Sequence, residues 1–387
     1  MGGAHVKTKR TLAGASIALL LAAVTLLPSS GGAATPAQRT ASIQAAANWL
    51  AGRFTGAGFI PDVNDDPDYS STAQSALALA ASASHEATFD AAVAFLQAHV
   101  DDYLGAPGGD ASVGALAYSL LLADAAGVPG TNFGGQDLVA RLQATLGDLE
   151  PGLYGAADPT FDGAFRQGLA ILGLLSQGVA PDPSAIAWLT DQQCAGGGWE
   201  AYRADTSVPC GPPDPVNFVG PDSNSTALAL AALAAAGVTP SNDALAFLDA
   251  TQAVDGGWAF IDGLDVDPNS TALVIQALVA AGEDPDTAPW VESGGSPFDS
   301  LLGWQIASGD PADVGGFATP FSDGFADQFA TQQAVWGIAA LPFPFGAVDF
   351  DNSSTTSTTS TTPTSTPVSS PDDGTKVEAS TRPRFAG

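Results

Sequence analysis

Apolar positions along residues 36–350 alternate between two patterns. The first is short and amphipathic and carries an aromatic-Leu or similar pair. These pairs are Trp49-Leu50, Phe95-Leu96, the degenerate Arg141-Leu142, Trp188-Leu189, Phe247-Leu248 and Leu301-Leu302. The second is apolar almost all round, as in STALALAALAAAG at 225–237. One buried stripe predicts a helix on an outer layer, whereas apolarity on every side predicts a helix with neighbours all round. Glycine-rich turns separate the two at 56–59, Gly108-Gly109, 152–154, 196–199, 256–258 and 315–317. An acidic residue opens each second helix: Asp68, Asp110, Asp162, Asp222, Asp267 and Asp327.

The unit is most complete at 247–282 and recurs about every 40–60 residues, in the range of repeat architectures. Two helices in each of about six repeats predict an all-α fold: an α/α toroid, or (α/α)6 barrel, with an inner ring of helices wrapped by an outer one. The inner helices, at roughly 14 residues, are too short to span a bilayer, which needs about 20.

The ends change character. Residues 1–34 join a basic end (Lys7, Lys9, Arg10) to an apolar run and a small-residue site at Gly32-Ala33-Ala34, the pattern of a secretory signal peptide. Residues 351–387 are rich in Ser, Thr and Pro and cannot bury a core, so a disordered tail is expected. The chain is therefore expected to be secreted, extracellular or wall-associated, a monomer, and without a membrane span once mature.

Charge narrows the partners. The formal net charge is −30. Between 36 and 350 the basic residues are Arg39, Arg53, Arg141, Arg166 and Arg203, with no Lys. Nucleic acid, which requires a basic face, is excluded as a partner. The two cysteines, Cys194 and Cys210, flank one repeat's long loop and are expected to pair in an oxidising compartment.

Gln193 with Gly197, Gly198 and Trp199, and Gln252 with Gly256, Gly257 and Trp258, resemble the QW motif of squalene–hopene and related triterpene cyclases. Gln305 with Gly315, Gly316 and Phe317 is a stretched copy. The helix openings DSNSTALA at 222–229 and DPNSTALV at 267–274 resemble repeats of the wider terpenoid cyclase and protein prenyltransferase superfamily, which includes the α domain of transcobalamin-like proteins. The resemblance implies the α/α toroid. It also defines what is missing. Class II cyclases carry DxDDTA, whose middle Asp protonates an alkene. Counted back from each helix opening, that acid falls at Ser70, Ser112, Ala164, Asn224, Asn269 or Phe329, none of them a carboxylate. The zinc set of the prenyltransferases has no counterpart either, since only His85 and His99 follow the signal.

These readings lead to an exported, non-catalytic protein binding a small hydrophobic or cobalamin-like ligand at the mouth formed by the inner-helix N-termini. A terpenoid-cyclase-like or glycan-active enzyme, or a cell-surface structural or adhesion module, are the alternatives. The candidate contacts are Asp68, Asp162, Asp222, Asn224, Asp267, Asn269 and Asp327, with Trp199 and Trp258 as neighbours. Arg166, placed where other repeats have Thr, is the candidate for an anionic group. The acids also have a structural explanation, because Asp before a helix caps its free amides. Asp62, Asn64, Asp66 and Asp68 alternate like the first ligands of a calcium loop, although Pro67 stands where that pattern needs Gly.

Overall fold

A computed structural model describes residues 33–350 except 107–111, 156–162 and 241. The expected tail, and all but the last two residues of the expected signal, lie outside the described residues, as do Asp110 and Asp162.

Thirteen α-helices are described, with one two-stranded hairpin, Ile60–Pro61 against Pro67–Asp68. The inner helices are α2 (Tyr69–Ala81), α5 (Val113–Ala125), α7 (Ala164–Ser176), α9 (Ser223–Ala235), α11 (Pro268–Ala280) and α13 (Gln328–Ala339). Each packs on the next, and α13 packs back on α2, so the ring is closed. Outside it lie α1 (Pro36–Ala51), α3 (Glu86–Ala98), the short α4 (Val100–Leu104), α6 (Leu138–Ala144), α8 (Pro183–Asp191), α10 (Ala244–Thr251) and α12 (Pro297–Gly303). The fold is an α/α toroid. No helix among the described residues is long and apolar enough to cross a membrane.

The inner helices are buried along most of their length because they are Ala- and Leu-rich on every face. Gly168 of α7 and Gly337 of α13 permit close approaches: a Cβ at Gly168 would lie 2.7 Å from the Leu228 carbonyl of α9. Four inner helices are capped by the predicted acids. Asp68, Asp222, Asp267 and Asp327 accept backbone N–H bonds from Ser71, Ser225, Ser270 and Ala330 at 2.7–2.8 Å. The other two helices differ from expectation. The N-cap of α5 is Ser112 and that of α7 is Gly163, so neither Asp110 nor Asp162 holds that place. In α7 the Ala164 amide instead donates to the Ala201 carbonyl of the neighbouring loop, which satisfies an end amide without a side chain.

The turns join each repeat to the next. Gln193 Nε2 donates to the Gly197 carbonyl of its own turn and to the Asn242 carbonyl before α10. Gln252 likewise bridges Gly256 to Trp290. Gln305 bridges Gly315 to Ser42 of α1, fastening the last repeat to the first helix. Gly197, at φ +95°, sits so near α10 that any Cβ would overlap the Asp243 carbonyl. The segment after α13 covers the ring's far end. Gln276 donates to the Leu341 carbonyl, and the Val348 amide donates to the carbonyl of Ala125.

Candidate functional site

At the inner-helix N-termini a cavity of about 660 Å³ opens between α2, α5, α7 and α13. Its size falls within the roughly 300–1,000 Å³ of small-molecule sites. The rim carries Asp62, Asp68 and Arg166, and the walls carry Tyr69, Tyr103, Phe165 and Phe329. Gln74 and Tyr118 lie further along α2 and α5. Below Tyr118 the axis is filled: the Trp336 ring lies 6.1 Å from that of Tyr118 and 5.2 Å from that of Phe343. The site is therefore a cup rather than a through-channel.

Aromatic contacts hold the wall in place. Tyr69 stacks on Tyr103 at 5.6 Å and on Phe95 at 6.0 Å. Burial pushes the Tyr103 phenol up to about 12, against an opposing hydrogen bond with Ser70. Burial also pushes Tyr118 up, opposed by the nearby Arg166 guanidinium. Both phenols therefore stay neutral and can donate or accept hydrogen bonds.

The acids are committed elsewhere. Both Asp68 oxygens accept from Ser71, at 2.8 Å from its amide and 2.7 Å from its hydroxyl. Asp62 accepts the amides of Asn64 and Asp66, and the Asn64 bond leads in holding its carboxyl below the usual range. Among the described residues, Asp62, Asp66 and Asp68 do not converge as a metal-binding group. Of the calcium-loop candidates, Asp62 serves the loop's own amides and Asp68 caps α2.

The remaining predicted residues are dispersed. Asp222 and Asp267 are buried caps outside this cavity. Burial pushes Asp222 up to about 7 despite its bonds from Ser225 and Asn224, and raises Asp267 as well. Asn224, Asn269 and Asp327 stand at the starts of α9, α11 and α13, none on the cavity wall. Trp199 and Trp258 are fully buried, and their indoles donate to the Leu189 and Leu248 carbonyls of the outer helices. They cover seams between layers and are not among the residues lining this cavity. Cys194 and Cys210 are disulfide-bonded, as expected.

Arg166 lines the cavity, one register position earlier than the sequence count placed it. With Gly163 as the cap, Gln167 takes the Thr position: its Oε1 accepts the Tyr154 amide at 2.9 Å. Counted from the observed caps, the cyclase-acid register in the two divergent repeats moves by two residues to Gly114 and by one to Phe165. Four residues of that register, Ser70, Gly114, Phe165 and Phe329, then line the cavity, and none is acidic. Sequence reasoning missed Gln74, Tyr69, Tyr103 and Tyr118. An aromatic or amide within an otherwise Ala/Leu-rich inner helix was the available signal for Gln74 and Tyr118.

Several solved structures share this architecture. The type II terpene cyclase MstE from Scytonema, in its apo form, is 16% identical at a TM-score of 0.54, covering 78% of this chain and 98% of that one. A variant of MstE in complex with merosterolic acid A, described as its product, gives 16% and 0.51, covering 79% and 97%. A UGL variant with dGlcA-Glc-Rha-Glc gives 10% and 0.52, covering 79% and 96%. At these identities the likeness is one of fold: the chain is a terpenoid-cyclase-like α/α toroid. No family model matches the sequence. No curated protein matches it either.

Proposed function

We propose that this is an exported small-molecule-binding protein whose site is the cup between α2, α5, α7 and α13, and that it binds without catalysis. The observation that carries the reading is the cavity wall itself. It combines neutral phenols, one guanidinium and a half-buried amide, while every wall residue in the cyclase-acid register lacks a carboxyl group. Protonating an alkene needs a carboxylic acid kept in its acid form. Asp62 is held ionised and both Asp68 oxygens already accept bonds, so neither fills that role.

The signal-like residues 1–34 and the Cys194–Cys210 disulfide support the reading as an exported protein. The MstE and UGL complexes hold a terpenoid acid and an oligosaccharide respectively, so the shared fold accommodates either chemistry.

Gly114 provides the test. It lines the cavity, and a Cβ there would sit at ordinary distance, 3.6 Å, from Arg166 Nε. Gly114→Ala therefore fits, whereas Gly114→Leu projects into the cup. A thermal-shift screen of saccharides, polyprenols and cobalamins should yield a ligand that stabilises wild type and Gly114→Ala but not Gly114→Leu. Equal stabilisation of Gly114→Leu, or no hit in any class, contradicts the reading.

A further inference from the structure

The ring's interior carries polar atoms that the protein itself leaves unbonded. Gln333 is 1% exposed, and neither its Nε2 nor its Oε1 has a partner. Trp336 is fully buried with Nε1 unpartnered, and Gln74 Oε1 is buried and unpartnered on the cavity wall. A buried polar group left unsatisfied costs about 1–3 kcal/mol. Three such side chains on two adjoining inner helices call for a reason beyond stability.

Their direction follows from helix geometry. Gln332 reaches α2, donating to the Ser71 carbonyl and to Ser75 Oγ. Gly337 abuts α11, where its Cβ would lie 2.7 Å from Ala272 Cα. At 3.6 residues per turn these contacts are about 140° apart around α13, and Phe329, Gln333 and Trp336 all fall inside that arc. The arc faces the ring axis, because the opposite side packs on α1 and α12. Phe329 marks the cavity wall and Trp336 meets Tyr118 at its base. Gln333 lies between them.

A hydrocarbon ligand would close over the Gln74 amide on the cavity wall and give it no partner. Amides offer donor and acceptor together, which hydroxyls match in either sense. On the strength of the binding reading above, we propose that the ligand is a neutral polyhydroxylated ring of the saccharide class. Its hydroxyls bond Gln74 directly and reach Gln333 and Trp336 through bridging water. Arg166 and the rim acids then steer orientation and do not neutralise a ligand charge.

Calorimetric titration of the whole chain tests this with three probe sets: neutral mono- and disaccharides, the corresponding uronic acids, and detergent-solubilised farnesol and geranylgeraniol. The expected result is saturable binding of a neutral saccharide, weakened at least tenfold in both Gln74→Leu and Gln333→Leu. Melting temperatures of both variants should equal or exceed wild type, since the removed atoms have no partner to lose. Tighter binding of uronic acids, undiminished saccharide binding by the variants, or a fall in their melting temperature overturns the proposal. Binding of the prenols alone overturns it while leaving the cup a binding site. Binding of nothing in the three sets removes both.

Discussion

The backbone N–H of Trp199 donates to the Thr226 hydroxyl at 2.9 Å, and that hydroxyl donates to the Asp222 carbonyl at 2.6 Å. One buried oxygen thus ties the glycine-rich turn to the first turn of the inner helix. The relationship recurs where Thr72 accepts the Ile60 amide, Thr271 that of Trp258 and Thr331 that of Phe317. Thr226→Val keeps the shape but strands a buried amide. It should destabilise the protein by about 1–3 kcal/mol, read from denaturant midpoints. A neutral effect would mean the turn is held by packing alone.

Ring closure makes a comparison between equivalent glutamines. Gln305 joins the last turn to Ser42 of α1, just as Gln252 joins adjacent repeats within the chain. Gln305→Leu and Gln252→Leu, each losing two Nε2 bonds of the same kind, should therefore lower stability by similar amounts, about 1–3 kcal/mol each by chemical denaturation. In an open array the terminal substitution would cost little.

Reducing the Cys194–Cys210 bridge, with a sequence separation of 16, should cost about 3 kcal/mol through freed loop entropy. Denaturation with and without reductant measures it. Because the bridge closes only the 195–209 loop, proteolysis after reduction should begin within that loop.

Asp222 sets a pH dependence. Burial raises its folded-state value to about 7, above that of the unfolded chain. Its contribution to stability is therefore complete below about pH 4 and is lost as pH rises toward 7. Asp222→Asn retains an acceptor for the Ser225 amide and removes the titration. The melting temperature of the variant relative to wild type should rise between pH 4 and pH 7; a flat difference would contradict the assigned burial.

The architecture was legible because its signal is local. Apolarity on every face of α9 and α11 marked the inner ring, and Asp222 and Asp267 marked its helix starts. The site was less legible. Four of the carboxylates that stood out in sequence, Asp68, Asp222, Asp267 and Asp327, are caps whose oxygens are used by nearby amides and hydroxyls. In α7 a glycine cap satisfied from the next loop displaced the register of Arg166 by one residue. Tyr103 comes from the short α4, and the directions of Gln74 and Gln333 depend on how the ring curves. Both are long-range facts with no local pattern.

Native mass spectrometry of the protein isolated from its own host tests the central claim most directly. The account predicts one stoichiometric small molecule on the wild-type chain and its absence from Gly114→Leu prepared in the same way. A wild-type mass equal to the bare chain, or a molecule that Gly114→Leu also retains, would contradict it.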